Sequence, residues 1–133
     1  MATRHQARET VTTLLYANDI GNKDIDKFLD EILEDKKIRN RQKEFALSLY
    51  NGVMENIEDI DKELNSHMQS WDFSKVGKIE RAILRLGTYE LMYSDLDRAV
   101  IINEALEIVK KLADAKATKF INGVLDAVKK RYS

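Results

Sequence analysis

Not one proline occurs in the 133 residues, and there are only five glycines. Proline costs ~3 kcal/mol inside a helix and glycine ~1 kcal/mol, so this chain has very few points at which a helix must stop. Tight turns and strand edges draw on the same two residues. The chain is therefore expected to be all-α. Hydrophobic residues make up 44% of it, enough for a packed core. The length fits one domain, or two small subdomains sharing a core. Cysteine is absent, which excludes a disulfide framework, a thiolate metal site and a cysteine nucleophile. Met1 to Gln6 is polar and no apolar run reaches ~18 residues, so neither a signal peptide nor a membrane span is expected. The expected setting is the cytoplasm.

Periodicity places the helices. Thr3 and Gln6 have the spacing of a capping box, and Ala7, Val11, Leu14 and Leu15 then share one stripe. Arg4 and Arg8 stand four residues apart on another stripe. Gly21-Asn22 ends this helix. A second is expected from Asp24, with Ile25, Phe28, Leu29, Ile32 and Leu33 inward, and a third, long one from about Asn40 to Ser66. The core stripe of the third is Phe45, Leu49, Val53, Ile57, Ile60 and Leu64. Ser66 to Ser74, with Trp71 and Phe73, reads as a packed connection that divides residues 1–70 from residues 71–133. The fourth helix, about Ser74 to Tyr93, has Val76, Ile79, Ile83 and Leu86 on one row and Leu84, Gly87 and Leu91 on another. A helix apolar on two sides is central or offers one side to a partner. Gly87 in its interior points to close backbone packing. The fifth helix, about Val100 to Ala113, is also apolar on two rows. The last starts near Ala117 or Thr118, with Phe120, Ile121, Val124, Leu125 and Val128 inward.

The charge pattern favours binding over catalysis. The net charge is −1, which excludes a globally basic polyanion binder but not a local basic patch. Residues 110–133 hold seven Lys or Arg against two acids, a local +5, leaving −6 for the rest. Earlier, six acids between Asp24 and Asp35 give way to Lys36, Lys37, Arg39, Arg41 and Lys43. His5 and His67 lack ligand spacing. Gly77-Lys78 is not the end of a P-loop, because Asp72 stands where that motif needs glycine and Ile79 where it needs Ser or Thr. No Gly-x-Ser-x-Gly elbow is present. No cofactor is expected.

Three runs, in order, together resemble the NusB family of bacterial transcription antitermination factors. They are Arg4-His5-Gln6-Ala7-Arg8-Glu9 leading to Leu14-Leu15-Tyr16; Ile79 through Leu91, reading IERAILRLGTYEL; and Val100-Ile101-Ile102-Asn103-Glu104-Ala105, followed by Lys119 through Asp126, reading KFINGVLD. The match covers nearly the whole chain, although Lys23 to Ser66 agrees only in helical character. The resemblance implies two small helical bundles packed across each other. It also implies a protein that binds boxA RNA together with NusE, a ribosomal protein, within a complex on RNA polymerase. No catalysis and no membrane are implied. A ribosome-biogenesis RNA-binding factor without an antitermination role shares the same surface. A third possibility is an accessory domain of the kind found at the N-terminus of some RNA cytosine methyltransferases, a reading disfavoured by the expectation that no catalytic domain follows Ser133.

Carried over residue by residue, the resemblance implies RNA contacts from Arg4, His5 and Arg8, and from Lys116, Lys119 and Phe120 before and within the last helix. It implies partner contacts from Tyr16, Glu80 and Leu84. This sequence has His5 and Gln6 where the family commonly has arginine, and Ala117 where it often has a serine cap, so Thr118 or Asp114 is the alternative cap. Asp95-Leu96-Asp97-Arg98 fills a place where proline is common. Cationic side chains neutralise phosphates, and an exposed aromatic offers a base a stacking surface. Phe120, as an apolar residue at a helix start, has core packing as its competing role. Glu80 has a surface salt bridge with Lys78 or Arg81 as its alternative to the rim of a partner groove. Asn122-Gly123 in the last helix has packing, or a close approach by RNA, as its two explanations.

Overall fold

The computed structural model describes residues 2–68 and 72–132. These form seven α-helices: α1 Arg4–Asp19, α2 Leu29–Asp35, α3 Arg41–Glu55, α4 Ile57–Ser66, α5 Lys78–Tyr93, α6 Arg98–Leu112 and α7 Thr118–Arg131. Single 3-10 turns occupy Lys23–Lys27, Phe73–Lys75 and Ala115–Ala117, and no strand occurs among the described residues. The arrangement is all-α, two small bundles packed across each other, with α5 common to both. On one side α5 meets α1, α3 and α4; on the other it meets α6 and α7. Trp71, and the boundary expected between residues 70 and 71, lie outside the described residues.

The first helix opens as its sequence requires. The Thr3 hydroxyl accepts the Gln6 amide at 3.1 Å, and the Thr3 amide donates to Gln6 Oε1 at 2.8 Å. Two orphan donors of the first turn are satisfied by one pair of residues. Ala7, Val11, Leu14 and Leu15 are all buried.

Two expected helices are interrupted. The second does not run from Asp24. A 3-10 turn comes first, and α2 starts only at Leu29, after Phe28 at φ −118°. Ile25, Leu29 and Leu33, spaced by four, hold the core, while Phe28 is turned outward and 47% exposed. The third helix breaks at Asn56. There the side-chain Nδ2 donates to Gly52 O at 2.8 Å, and the Asn56 amide is shared between Gly52 O and Val53 O, both at 3.2 Å. An asparagine competing for the helix carbonyls ends α3, and α4 resumes at once.

Both apolar rows of α5 are filled. Ile83, Leu84, Leu86 and Leu91 are buried, which is the central position expected of a helix apolar on two sides. A Cβ at Gly87 would stand 3.1 and 3.2 Å from the two Leu125 methyl carbons, so glycine there lets α7 close onto α5. Gly123 in α7 differs: a Cβ would meet nothing within 4 Å, and packing does not explain it.

Arginines stitch the helices together. Arg85 donates to both carboxylate oxygens of Asp61 in α4, at 2.9 and 2.8 Å. Arg81 donates to Asp19 at the end of α1 at 3.0 Å and to Ser74 O at 3.2 Å. Both guanidinium groups also lie over the Phe73 ring. Arg98 donates to the last carbonyls of α5, Leu91 O at 2.9 Å and Ser94 O at 2.8 Å. The Arg81–Asp19 bond fixes the end of α1 beside the start of α5.

Candidate nucleic-acid interface

The start of α1 carries the first group of expected RNA contacts, and the fold treats its members differently. Arg4 is exposed, with its guanidinium 4.4 Å from the centre of the Phe45 ring in α3. That stacking positions the cation while leaving its donors free for an anion. His5 is half-buried and held at both ring nitrogens by carboxylates: Nε2 is 2.8 Å from Glu9, and Nδ1 bonds Glu104 of α6. Arg8 is not a surface residue at all. It is 4% exposed and bonds Glu90 of α5 through two parallel contacts, Nε to Oε1 at 2.9 Å and Nη2 to Oε2 at 2.8 Å. Burial disfavours the Arg8 cation, but Glu90 more than offsets this, and the net shift of its pKa is upward. The expectation that Arg8 meets phosphate is thus corrected. The side chain is buried, and its Nε and Nη2 donate to an acid 82 residues away.

The second group sits at the entry to α7. Asp114 Oδ1 accepts the Lys116 amide at 2.9 Å and so caps the 3-10 turn Ala115–Ala117. The expected replacement cap on α7 itself is not found: its N-cap is Ala117, and neither Asp114 nor Thr118 caps it with a side chain. The turn displays Lys116 and Lys119, both exposed. Phe120 is 38% exposed and not a core residue, unlike Ile121, Val124, Leu125 and Val128, which are buried as expected.

The residues expected to meet a protein partner divide in the same way. Leu84 is fully buried, so it contacts no partner; its row of α5 faces the interior because α5 is enclosed on both sides. Tyr16 is 36% exposed on α1. Glu80, in the first turn of α5, makes no ion pair among the described residues, because Arg81 turns instead to Asp19. Its carboxylate folds back over Gly77, where a Cβ would lie 2.3 Å from Oε2. An acid in a first helical turn is favoured by the helix dipole. Lys75, Val76, Gly77, Glu80, Ala117 and Phe120 together line a largely apolar groove of about 350 Å³. The structure therefore brings Phe120 and Glu80 to one place, although sequence assigned them to different ligands. The Asp19–Arg81 pair ties the end of α1, which carries Tyr16, to the same end of α5.

Among the described residues no cluster of histidines and acids is arranged to hold a metal ion, and no helix is long and apolar enough to cross a membrane.

Residues 5–130 match the model of the NusB family. A transcription antitermination protein NusB of Nitratiruptor is 61% identical over 130 residues, covering 98% of this chain and 94% of that one. The corresponding protein of Sulfurimonas denitrificans is 58% identical, over 98% of each chain. Among solved structures, the T. maritima NusB superposes with a TM-score of 0.90 at 32% identity, covering 98% of this chain and 93% of the other. A crystal structure of the antitermination factors NusB and NusE with double-stranded RNA matches at a TM-score of 0.87 and 34% identity, covering 97% of each chain.

Proposed function

The chain belongs to the NusB family, and from that premise we propose that it is a transcription antitermination factor. It binds boxA-type RNA with the NusE ribosomal protein and joins the antitermination complex on RNA polymerase in the cytoplasm, supporting ribosomal RNA transcription. The observation that carries this reading is the match in fold, over nearly the whole of each chain, to the NusB solved in complex with NusE and RNA.

RNA is met by Arg4 on its Phe45 platform and by Lys116, Lys119 and the exposed ring of Phe120. His5 contributes only by the way it ties α1 to α6, and Arg8 by holding α1 against α5. NusE is met by Tyr16 and Glu80, with the acid facing a basic protein. Residues 1–70 and 71–133 act as two subdomains of one compact domain. The contacts of α5 with helices of both halves explain why the halves hold together as one domain.

The test is a titration of boxA-type RNA and of a scrambled RNA, each with and without the NusE-type protein. Tighter binding of the boxA-type RNA, strengthened by the partner, is expected. If about four phosphates are neutralised, log K should fall against log salt with a slope of roughly −3. A flat salt dependence, or equal affinity for both RNAs in the presence of partner, refutes the assignment.

A further inference from the structure

The basic run at residues 36–43 finds no use in the sites described above. Its charges do not behave alike. Arg39 pairs with Glu34 at 3.0 Å, and Lys43 reaches Asp30 at 3.5 Å and Glu34 at 3.7 Å. Lys36 and Lys37 are exposed and make no ion pair among the described residues.

The backbone holds these two lysines in place. The Lys37 amide donates to Glu34 O and the Ile38 amide reaches back to Leu33 O, both at 2.9 Å. Leu33 and Ile38 are buried together under the turn. This is a Schellman ending, with Lys37 in the left-handed region at φ 59°. Glycine is the usual occupant of that position because a Cβ is strained there. A chain that needed only the turn would be more stable with glycine.

The turn opens on a groove. Gln6, Glu9 and Thr10 of α1 line it together with Lys36, Lys37 and Lys111 of α6. The single acid there, Glu9, is already engaged by Lys111 at 3.0 Å and by His5 at 2.8 Å. Lys111 belongs to the same basic segment, residues 110–133, that holds Lys116 and Lys119.

We propose that this groove is a further stretch of the RNA path, in which Lys36 and Lys37 neutralise backbone phosphates and the strained conformation of Lys37 aims its ammonium group at the strand. The inference rests on the RNA-binding reading above. Two phosphate contacts contribute about 1.4 to the slope of log K against log salt, so losing both should weaken binding about 25-fold at 0.1 M salt and about 5-fold at 0.3 M.

The experiment compares the full chain with its Lys36→Ala/Lys37→Gly variant in titrations of single-stranded boxA-type RNA across that salt range, with the NusE-type partner present. Lys37→Gly relieves the left-handed strain, so the variant should melt at or above the wild-type temperature while its salt slope falls. Lys36→Ala alone, which alters no backbone conformation, should show half the slope change and carries the test if the double variant folds poorly. Unchanged affinity and slope in a folded variant overturn the groove proposal and leave the proposed function standing. Absence of RNA binding by the wild-type chain overturns both.

Discussion

Replacing Arg8 by methionine separates a phosphate contact from a structural one. Methionine keeps an unbranched, apolar stem against Phe45, whose ring centre lies 5.1 Å from the Arg8 guanidinium carbon. It removes both bonds to Glu90, whose side chain is 3% exposed. The lost pair is less important than what remains: a carboxylate sealed between α1, α5 and α6 with no cation. Removing one partner of a buried, hydrogen-bonded pair costs about 3–5 kcal/mol. With an unfolding entropy of ~2.1 cal/mol/K per residue, the 133 residues give about 0.28 kcal/mol/K, so the melting temperature should fall by roughly 11–18 °C. Calorimetry or thermal circular dichroism measures this directly. The double variant Arg8→Met/Glu90→Leu should regain most of the loss, because neither charge is then buried alone. RNA affinity measured well below the melting temperature should stay within about twofold, since Arg8 is buried and held by Glu90. If Arg8→Met instead melts within 2 °C of wild type and loses ~10-fold or more in RNA affinity, the buried pair does not exist in solution and Arg8 is a phosphate contact.

Three further outcomes follow from the geometry. Glu80→Lys should lower the melting temperature only slightly, through the ~0.3–1 kcal/mol dipole effect in a first helical turn, yet weaken NusE binding in a calorimetric titration; unchanged partner affinity removes Glu80 from the interface. The two α-helical glycines should respond oppositely to alanine: Gly87→Ala should cost about 1 kcal/mol net, because a Cβ crowding Leu125 outweighs the gain in helix propensity, whereas Gly123→Ala, facing open space, should stabilise by ~0.5–1 kcal/mol in denaturant unfolding. Alkaline titration should find stability lost as pH rises above about 10, because burial and the 2.7 Å bond to Asp26 raise the Tyr50 phenol's pKa in the folded state; the protonated form contributes fully below the unfolded value, and Tyr50→Phe should flatten that stretch of the stability profile.

Much of the candidate site was legible in the sequence. The exposed lysines at 116 and 119 lie in the local +5 segment, and the acid at 80 breaks an apolar row. Phe120 was ambiguous, because an aromatic at a helix start packs inward or outward according to what the neighbouring helix leaves uncovered. Lys36 and Lys37 were visible only as members of a charge run. Their separation from Arg39 and Lys43 depends on which of them can reach Glu34 and Asp30, a question of three-dimensional reach.

Local chemistry settled the helical class, the Thr3–Gln6 cap and the inward rows of α1 and, Phe120 apart, of α7. Those features depend on neighbours within about one turn of helix, which the sequence states directly. The breaks at Phe28 and Asn56, the burial of Leu84 and the fate of Arg8 were decided by packing. Periodicity identifies an apolar face but not how many other helices will cover it. It places Arg8 beside the core stripe of α1 without revealing that Glu90, on a helix 82 residues further along, arrives antiparallel at that level to meet it. A charged side chain is surface or core according to whether a counter-charge is delivered to it there, and only the folded chain brings the two together.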